Sequence, residues 1–211
     1  MPDFPSRGLY AITDGPRTDL QHVVQEALAG GVRLLQYRDL GDDHPRRRAE
    51  AEAIKRLCDE RGVPLLINGD AALAQAVGAA GVHLGETAED LASARGRLGP
   101  QAIIGVSCFA SLERARAMVD AGATYVSFGA FFPSPTLPDA GLASIDLLRQ
   151  SAALGVPRVA IGGITPENGA ALVDAGADYL AAISAVFGNA AVRAAARRLA
   201  DLYRFPMSES P

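Results

Sequence analysis

The stretch Ile161-Gly162-Gly163-Ile164-Thr165-Pro166 ends an apolar segment that is typical of a buried strand, and helical sequence follows it. The next strand-like segment ends in Ala182-Ile183-Ser184-Ala185. Two adjacent glycines leave backbone N–H groups unobstructed, and such groups between a strand and a helix bind anions. The stretch therefore predicts a phosphate site where two consecutive strands end.

Apolar, strand-like segments recur along the chain, and a helical pattern follows each of them. The eight segments are Leu9–Thr13, Leu34–Arg38, Pro64–Asn68, Gly81–Leu84, Ile103–Ser107, Tyr125–Gly129, Val159–Gly162 and Tyr179–Ser184. Part of the repeat is visible in the letters, since Asp120–Tyr125 reads DAGATY and Asp174–Tyr179 reads DAGADY. Eight such units predict an α/β fold of the (β/α)8 TIM-barrel type. The alternative, a doubly wound open sheet, needs fewer strands and a topological switch point.

The composition is that of a globular protein, and we expect a single domain over residues 1–211 with its barrel core at about 8–203. The chain has 211 residues, 49% of them hydrophobic, which is enough for one large core. A net charge of −4 argues against a nucleic-acid partner. The first residues do not resemble a signal peptide, and no apolar run approaches the roughly 20 residues that span a bilayer. We therefore expect a cytoplasmic protein with no membrane partner.

Two further features have simple explanations. Cys58 and Cys108 have neither the number nor the spacing of a disulfide framework or a zinc site, so both are expected to be buried or half-buried. The one basic cluster, His44–Arg48, opens the second helix. It could attract an anion, but a solvated helix face explains it more simply.

In TIM barrels the chemistry gathers at the carboxyl ends of the strands. The polar residues predicted there are Asp14, Gln36, Arg38, Asn68, His83, Ser107, Ser134, Thr136, Gly162, Gly163 and Ser184. Arg38 is the only lysine or arginine in this set, and a guanidinium can bind phosphate through two parallel hydrogen bonds. Together these residues predict an anion site.

Several of these residues also have ordinary structural explanations when taken singly. Asn68 and Asp70 could cap the third helix, and Thr165 with Pro166 could start another. His83 is more simply explained as a hydrogen-bonded core residue. The functional interpretation therefore depends on the whole set lying at one end of the barrel.

Five ordered motifs resemble the thiamine phosphate synthase family (the thiamine monophosphate synthase and thiazole tautomerase superfamily). They are Asn68, Gly81–Gly85 (GVHLG), Gly105–Ser107 (GVS), Gly129–Thr136 (GAFFPSPT) and Ala160–Ile164 (AIGGI). The resemblance runs from Gly8 to about Tyr203. It implies a transferase that joins a hydroxymethylpyrimidine pyrophosphate to a thiazole phosphate and releases pyrophosphate with the help of magnesium (Mg²⁺). It also implies that pyrophosphate leaves first and that the thiazole nitrogen then attacks a pyrimidine cation, so stabilising the leaving group is the central task.

The resemblance also implies roles for individual residues. Gln36 would contact the pyrimidine, and Arg38 would contact the pyrophosphate. Ser134 and Thr136 match the family's Thr-Pro-Thr turn, with serine in the first place. The implied substrate-binding residues are Gln36, Arg38, Asn68, Ser107, Ser134, Thr136, Gly162, Gly163 and Ser184, and Arg38 and Ser107 are assigned to catalysis. The implied partners are small phosphorylated molecules, and a homodimer is left open.

Four positions depart from the family pattern. Leu40 and Leu137 stand where the family usually has lysine, Gly69 stands at the first metal-binding aspartate, and Ala88 stands at the second in an ungapped alignment. All four fall on the pyrophosphate half of the site. The metal ligands are therefore unknown, with Asp70 and Asp90 as the nearest candidates for a shifted magnesium site.

Three functions stay open at this point. The first is a working or impaired thiamine phosphate synthase. The second is the related thiazole tautomerase, which uses a histidine near the end of strand five, where this chain has Cys108, Phe109 and Ala110. The third is a non-catalytic protein that binds thiazole phosphate or thiamine phosphate.

Overall fold

The computed structural model describes residues 4–85, 88–133 and 142–204, and its strands close into a parallel barrel in chain order from β1 to β8. The strands are β1 Gly8–Ile12, β2 Val32–Tyr37, β3 Leu65–Asn68, β4 Gly81–Leu84, β5 Ile103–Ser107, β6 Tyr125–Phe128, β7 Arg158–Ile161 and β8 Tyr179–Ala182. The barrel closes where β1 pairs with β8, with Gly8 opposite Tyr179. The predicted (β/α)8 fold is confirmed.

Helices follow the strands and cover the outside of the barrel. They are α1 Leu20–Ala29, α2 His44–Asp59, α3 Ala71–Val77, α4 Ala88–Leu98, α5 Leu112–Asp120, α6 Asp146–Gln150, α7 Gly169–Asp174, α8 Ser184–Phe187 and α9 Val192–Asp201, with a short 3-10 helix at Ser151–Leu154. Side chains cap several helix starts: Asp43, Asp70 and Ser111 accept hydrogen bonds from backbone N–H groups of α2, α3 and α5. In the described part of the chain, no helix is long and apolar enough to cross a membrane.

Side chains alternate along each strand between two apolar cores. One set, which includes Leu35 and Val106, packs between the strands and the helices, while the other, which includes Tyr10 and Leu66, fills the barrel interior. Leu35, Leu66 and Val106 are fully buried, as the barrel predicts. Ile161 was expected to be equally buried but is only half-buried, because it is the last residue of β7, at the carboxyl end of the barrel.

Both cysteines lie in this core, as expected. Cys58 and Cys108 are buried and unpaired. Burial raises the pKa of the Cys58 thiol to about 12 and that of the Cys108 thiol to about 11. Both thiols therefore stay protonated and behave as small apolar groups.

Gly105 makes room for the ring of Tyr125 inside the barrel. A Cβ atom at Gly105 would lie 1.9 Å from Cζ of Tyr125, so we expect Gly105→Ala to lower the free energy of unfolding by about 1–3 kcal/mol through overpacking. Gly96→Ala in α4 is the matched control, because no atom lies within 4 Å of the added methyl group. Urea denaturation of the two variants measures the difference, and equal stabilities would contradict the packing argument.

Candidate active site

Four of the predicted site residues lie on the inward-facing side of their strands, towards the carboxyl end of the barrel. Gln36, Asn68, His83 and Ser107 follow the inward alternation of β2, β3, β4 and β5, and Asn68 lies opposite His83 in the register of β3 and β4. Gln36 is 1% exposed, whereas the other three are half-buried. The barrel therefore brings these polar groups into one interior.

A continuous chain of hydrogen bonds links two of these residues through the barrel. Nε2 of Gln36 donates to the Tyr10 hydroxyl oxygen over 2.5 Å, and the two hydroxyl oxygens of Tyr10 and Tyr125 are 2.9 Å apart. Nδ1 of His83 lies 2.8 Å from the Tyr125 hydroxyl, and Nε2 of His83 lies 3.0 Å from Oγ of Ser107. The interpretation of His83 as a hydrogen-bonded core residue is confirmed, and the structure adds that it connects Ser107 to Gln36.

Arg38 follows directly after β2, and its backbone is fixed by Thr13. The Arg38 N–H group donates to Oγ1 of Thr13 over 2.8 Å, and the Thr13 hydroxyl donates to the Arg38 carbonyl oxygen over 3.0 Å. The Arg38 side chain is half-buried, and its guanidinium makes no hydrogen bond or ion pair with another described residue. It is therefore placed to receive an anionic ligand.

The residues that follow Arg38 are held by an ion-pair network. Asp39 is 4% exposed and pairs with Arg46 over 2.6 Å, while the Gly41 N–H group donates to its other oxygen over 2.7 Å. Burial opposes the ionisation of Asp39, but the Gly41 N–H group and the Arg46 guanidinium outweigh burial and lower its pKa. The loop after Arg38 is thus anchored to α2.

The basic cluster His44–Arg48 supplies this network and is neither an open anion site nor simply a solvated helix face. Arg46 pairs with Asp39 and also with Glu50, and the Arg47 guanidinium lies 3.2 Å from Asp70. His44 and the Arg48 side chain, which is 61% exposed, belong to the solvated face that the sequence suggests. The negative partners of Arg46 and Arg47 leave Arg38 as the stronger candidate for binding an anion.

The glycine loop after β7 packs tightly against the residues after β6. Gly162 and Gly163 have φ angles of 100° and 63°, and Cβ atoms there would lie 2.4 Å from Cβ of Ala130 and 2.5 Å from the Pro133 carbonyl oxygen. The backbone N–H groups of Gly163 and Ile164 make no hydrogen bond to another described residue. These N–H groups fit the predicted anion site.

The helix after this loop begins with an irregular first turn. The regular helix α7 begins at Gly169, but a first helical turn starts at Thr165 and Pro166, because the Gly169 N–H group donates to the Thr165 carbonyl oxygen over 3.0 Å. The Asn168 side chain accepts a hydrogen bond from the Thr165 N–H group over 2.8 Å and donates one to the Gly163 carbonyl oxygen over 2.9 Å, which folds the intervening residues into a turn. An anion at this loop would therefore contact loop N–H groups rather than a helix end.

Ser184 lies at the neighbouring strand end. The pairing of β7 with β8 extends to Ile161 opposite Ala181, so the segments that carry Gly163 and Ser184 leave the barrel side by side. Ser184 is exposed and begins α8. Ser134 and Thr136, the other two predicted binding residues, lie outside the described residues, as does Leu137.

The departures from the family pattern differ in their surroundings. The Leu40 side chain is 72% exposed. Gly69 has a φ angle of 65° and no atom within 4 Å of a Cβ at this position, so the place of the first metal-binding aspartate is open. Ala88 is the first residue of α4.

The two alternative candidates for a magnesium ligand differ in their surroundings. Asp70 has two other partners, since one oxygen accepts from the Leu73 N–H group over 2.8 Å and the other pairs with Arg47. Asp90 lines a depression of about 370 Å³ together with Gly69. Among the residues with described side chains, no cluster of three His, Cys, Asp or Glu residues is present; magnesium that binds together with substrate phosphates needs only one or two carboxylates.

Comparison with known proteins decides the family. A family model described as thiamine monophosphate synthase matches residues 9–186. The chain belongs to this family. Thiamine-phosphate synthase from Halorhodospira halophila is 51% identical over 193 residues, covering 91% of this chain and 92% of the relative. The relative of the same name from Thiobacillus denitrificans is 49% identical over 206 residues, covering 96% of this chain and 97% of the relative.

A solved structure agrees with this assignment. Thiamine phosphate pyrophosphorylase from Pyrococcus furiosus is 31% identical and superposes with a TM-score of 0.84, covering 95% of this chain and 97% of that protein. This chain thus shares its fold with that thiamine phosphate pyrophosphorylase. Members of the family are transferases, and the barrel end described above is the candidate active site.

The His83 side chain makes a testable contribution to the pH dependence of stability. Burial lowers the pKa of His83 to about 4, below the value of about 6.5 for an unfolded histidine. The unfolded chain therefore binds more protons between these two pKa values, and stability is lost as the pH falls through 6.5. We expect His83 to account for a loss of about 2 kcal/mol in unfolding free energy between pH 7.5 and pH 5.

Urea denaturation of the native chain and of His83→Gln at both pH values measures this loss. The difference between the two pH values should be smaller in His83→Gln by the stated amount. An identical pH dependence in both proteins would show that His83 titrates normally.

Proposed function

We propose that this protein is a cytoplasmic transferase of the thiamine-phosphate synthase type that acts on two small phosphorylated substrates. The thiazole phosphate would bind at the N–H groups of Gly163 and Ile164, beside Ser184. The pyrophosphate of the pyrimidine substrate would bind Arg38, with Gln36, Asn68 and Ser107 nearby, and Ser134 and Thr136 would complete the site. The observation that carries the proposal is the half-buried guanidinium of Arg38, which has no partner among the described residues and lies at the same end of the barrel as the glycine-loop N–H groups that are likewise unpaired there.

The chemistry of the proposal requires the stabilisation of a leaving group. The bond between the pyrimidine methylene carbon and a pyrophosphate oxygen breaks, and both electrons leave with the oxygen. The lone pair of the thiazole nitrogen then forms the new bond to that carbon. Arg38 and the Ser107 hydroxyl are the donors that would stabilise the negative charge on the departing oxygens.

Magnesium, which the family resemblance implies, would find no free carboxylate at the two positions that follow Asn68. Gly69 offers no carboxylate, and both oxygens of Asp70 already have partners. Our proposal therefore assigns the leaving-group charge to Arg38 and to neutral donors, and no step depends on a metal. With two lysines also replaced, we expect turnover to be weak compared with a family member that has all four charged residues, while thiazole phosphate binds without metal.

Removing the Arg38 side chain should weaken pyrophosphate binding. We expect Arg38→Ala to lower the affinity by about 2 kcal/mol, or roughly 30-fold, because a charge-assisted pair is lost. Isothermal titration with inorganic pyrophosphate measures the change. Arg48→Ala is the control, since the exposed Arg48 pairs only with Glu52; an Arg38→Ala affinity equal to that of the control would place the anion elsewhere.

Restoring the four missing charges should raise turnover. We expect Leu40→Lys, Leu137→Lys, Gly69→Asp and Ala88→Asp in one chain to increase the rate by at least about 100-fold, because the leaving group would again be neutralised. The rate is measured with both substrates and magnesium. If the unmodified chain already turns over as fast as the restored variant, the four charges are not required.

Gly62→Asp is the matched control for the strain that Gly69→Asp introduces. Gly62 has a φ angle of 62° and an open space at its Cβ position, like Gly69, but it precedes β3 and lies away from the site. When Gly62→Asp is added to the chain that carries all four changes, we expect the rate of that chain to stay the same. Sedimentation of the same samples distinguishes a monomer from a homodimer.

A further inference from the structure

The hydrogen-bonded chain inside the barrel links two residues of the candidate site for the pyrimidine pyrophosphate substrate. It joins Gln36 on β2 to Ser107 on β5 through three side chains, Tyr10, Tyr125 and His83. We propose that Tyr10, Tyr125 and His83 are positioning residues that fix which hydrogen-bonding groups Gln36 and Ser107 present to the substrate. This inference rests on the proposed function, because it concerns the same site.

The direction of the chain follows from its first donor. With the Gln36 amide placed so that Nε2 faces Tyr10, the Tyr10 oxygen accepts from it, and the Tyr10 hydroxyl hydrogen goes to its other partner, the oxygen of Tyr125. The Tyr125 hydroxyl hydrogen then goes to Nδ1 of His83. A neutral His83 that accepts at Nδ1 carries its hydrogen on Nε2, and it donates that hydrogen to Oγ of Ser107.

A charged His83 is disfavoured as long as the Gln36 amide keeps this orientation. A protonated imidazole would donate from Nδ1 to Tyr125, which would turn the Tyr125 and Tyr10 hydroxyls back towards the Gln36 amide, where two donors would meet. Burial of His83 favours its neutral form, since its pKa is lowered to about 4. Burial also raises the pKa values of Tyr10 and Tyr125, so both keep their hydroxyl hydrogens.

The surrounding packing holds these side chains in place. Tyr10 is 1% exposed and Tyr125 is fully buried. The His83 and Tyr125 rings stack with a centroid distance of 5.7 Å, and Tyr10 meets Tyr125 edge-on at 6.1 Å. Gly105 also leaves the space that the Tyr125 ring occupies, so the position of the Tyr125 hydroxyl oxygen is fixed by packing.

The consequence reaches both ends of the chain. Ser107 accepts from His83, so its own hydrogen is free to be donated to an anion. The Gln36 amide nitrogen donates to Tyr10, so the amide oxygen can accept from the substrate. This oxygen makes no hydrogen bond to a described residue, and it is not completely enclosed by the described chain. A donor thus faces the pyrophosphate, and an acceptor faces the ring.

The tautomer of His83 tests the direction without any need for activity. The chain has three histidines, and His22 and His44 are exposed, so His22→Gln and His44→Gln assign the ¹⁵N spectrum of the full-length protein. At pH 7.5 we expect the neutral tautomer with hydrogen on Nε2, and Tyr125→Phe should raise the population with hydrogen on Nδ1. A native tautomer with hydrogen on Nδ1, or a ratio that Tyr125→Phe leaves unchanged, would overturn the proposal.

A double-mutant cycle with inorganic pyrophosphate separates positioning from general destabilisation. We expect Tyr125→Phe to weaken binding about fivefold when Ser107 is present, and less than about twofold in a Ser107→Ala background, because the tyrosine acts through that hydroxyl. A merely structural role would weaken binding equally in both backgrounds, which would contradict the proposal. If Tyr125→Phe does not fold, Tyr10→Phe enters the same cycle and the native tautomer still decides the direction.

The two tests also distinguish this proposal from the proposed function. If there is no turnover, but His83 carries its hydrogen on Nε2 and the double-mutant cycle shows coupling, the transferase activity is refuted and the positioning role is retained. If there is turnover but the cycle shows no coupling, the positioning role is refuted and the transferase activity is retained.

Discussion

The constraint on which the site depends is the closure of the barrel, which shields inward-facing polar groups from water. A buried hydroxyl, amide or imidazole without a partner costs free energy, so each of these groups must be hydrogen-bonded by another side chain. Gln36, Tyr10, Tyr125, His83 and Ser107 satisfy one another across five strands. The same bonds that make the interior stable therefore also fix the orientation of two groups that face the open end.

A second constraint concerns the charge at that end. An unpaired guanidinium at a barrel mouth would fold back onto any free carboxylate nearby, because such pairs form readily. Around Arg38 this does not happen, since Asp39 is engaged by Arg46 and Asp70 by Arg47. The arginines of α2 thus neutralise the acidic residues beside the site, and Thr13 fixes the Arg38 backbone. Among the described residues at this end, Arg38 is therefore left available for an anion because its acidic neighbours are paired.

The sequence was sufficient to predict the barrel, because eight buried strands at regular spacing have few other arrangements. It also placed Gln36, Asn68 and Ser107 at one end, since alternation along a strand fixes the side on which a residue lies. It did not reveal Tyr10 and Tyr125, whose aromatic rings look like ordinary core residues until the register brings their hydroxyl groups together. The hydrogen bonds of the Asn168 side chain with Thr165 and Gly163 were not predicted either, because periodicity does not register such contacts.

The two halves of the candidate site differ in what they need from the sequence. In the function that we propose, the half beside the glycine loop would use backbone N–H groups, which any substitution that keeps Gly162 and Gly163 leaves in place. The pyrophosphate half would need charged side chains, and Leu40 and Gly69 lack two of them without disturbing the fold, since Leu40 is 72% exposed and the space at Gly69 is open. Loss of charge at exposed positions costs little stability. A barrel of this family can therefore keep its fold and its phosphate loop intact while its power to stabilise a leaving group falls.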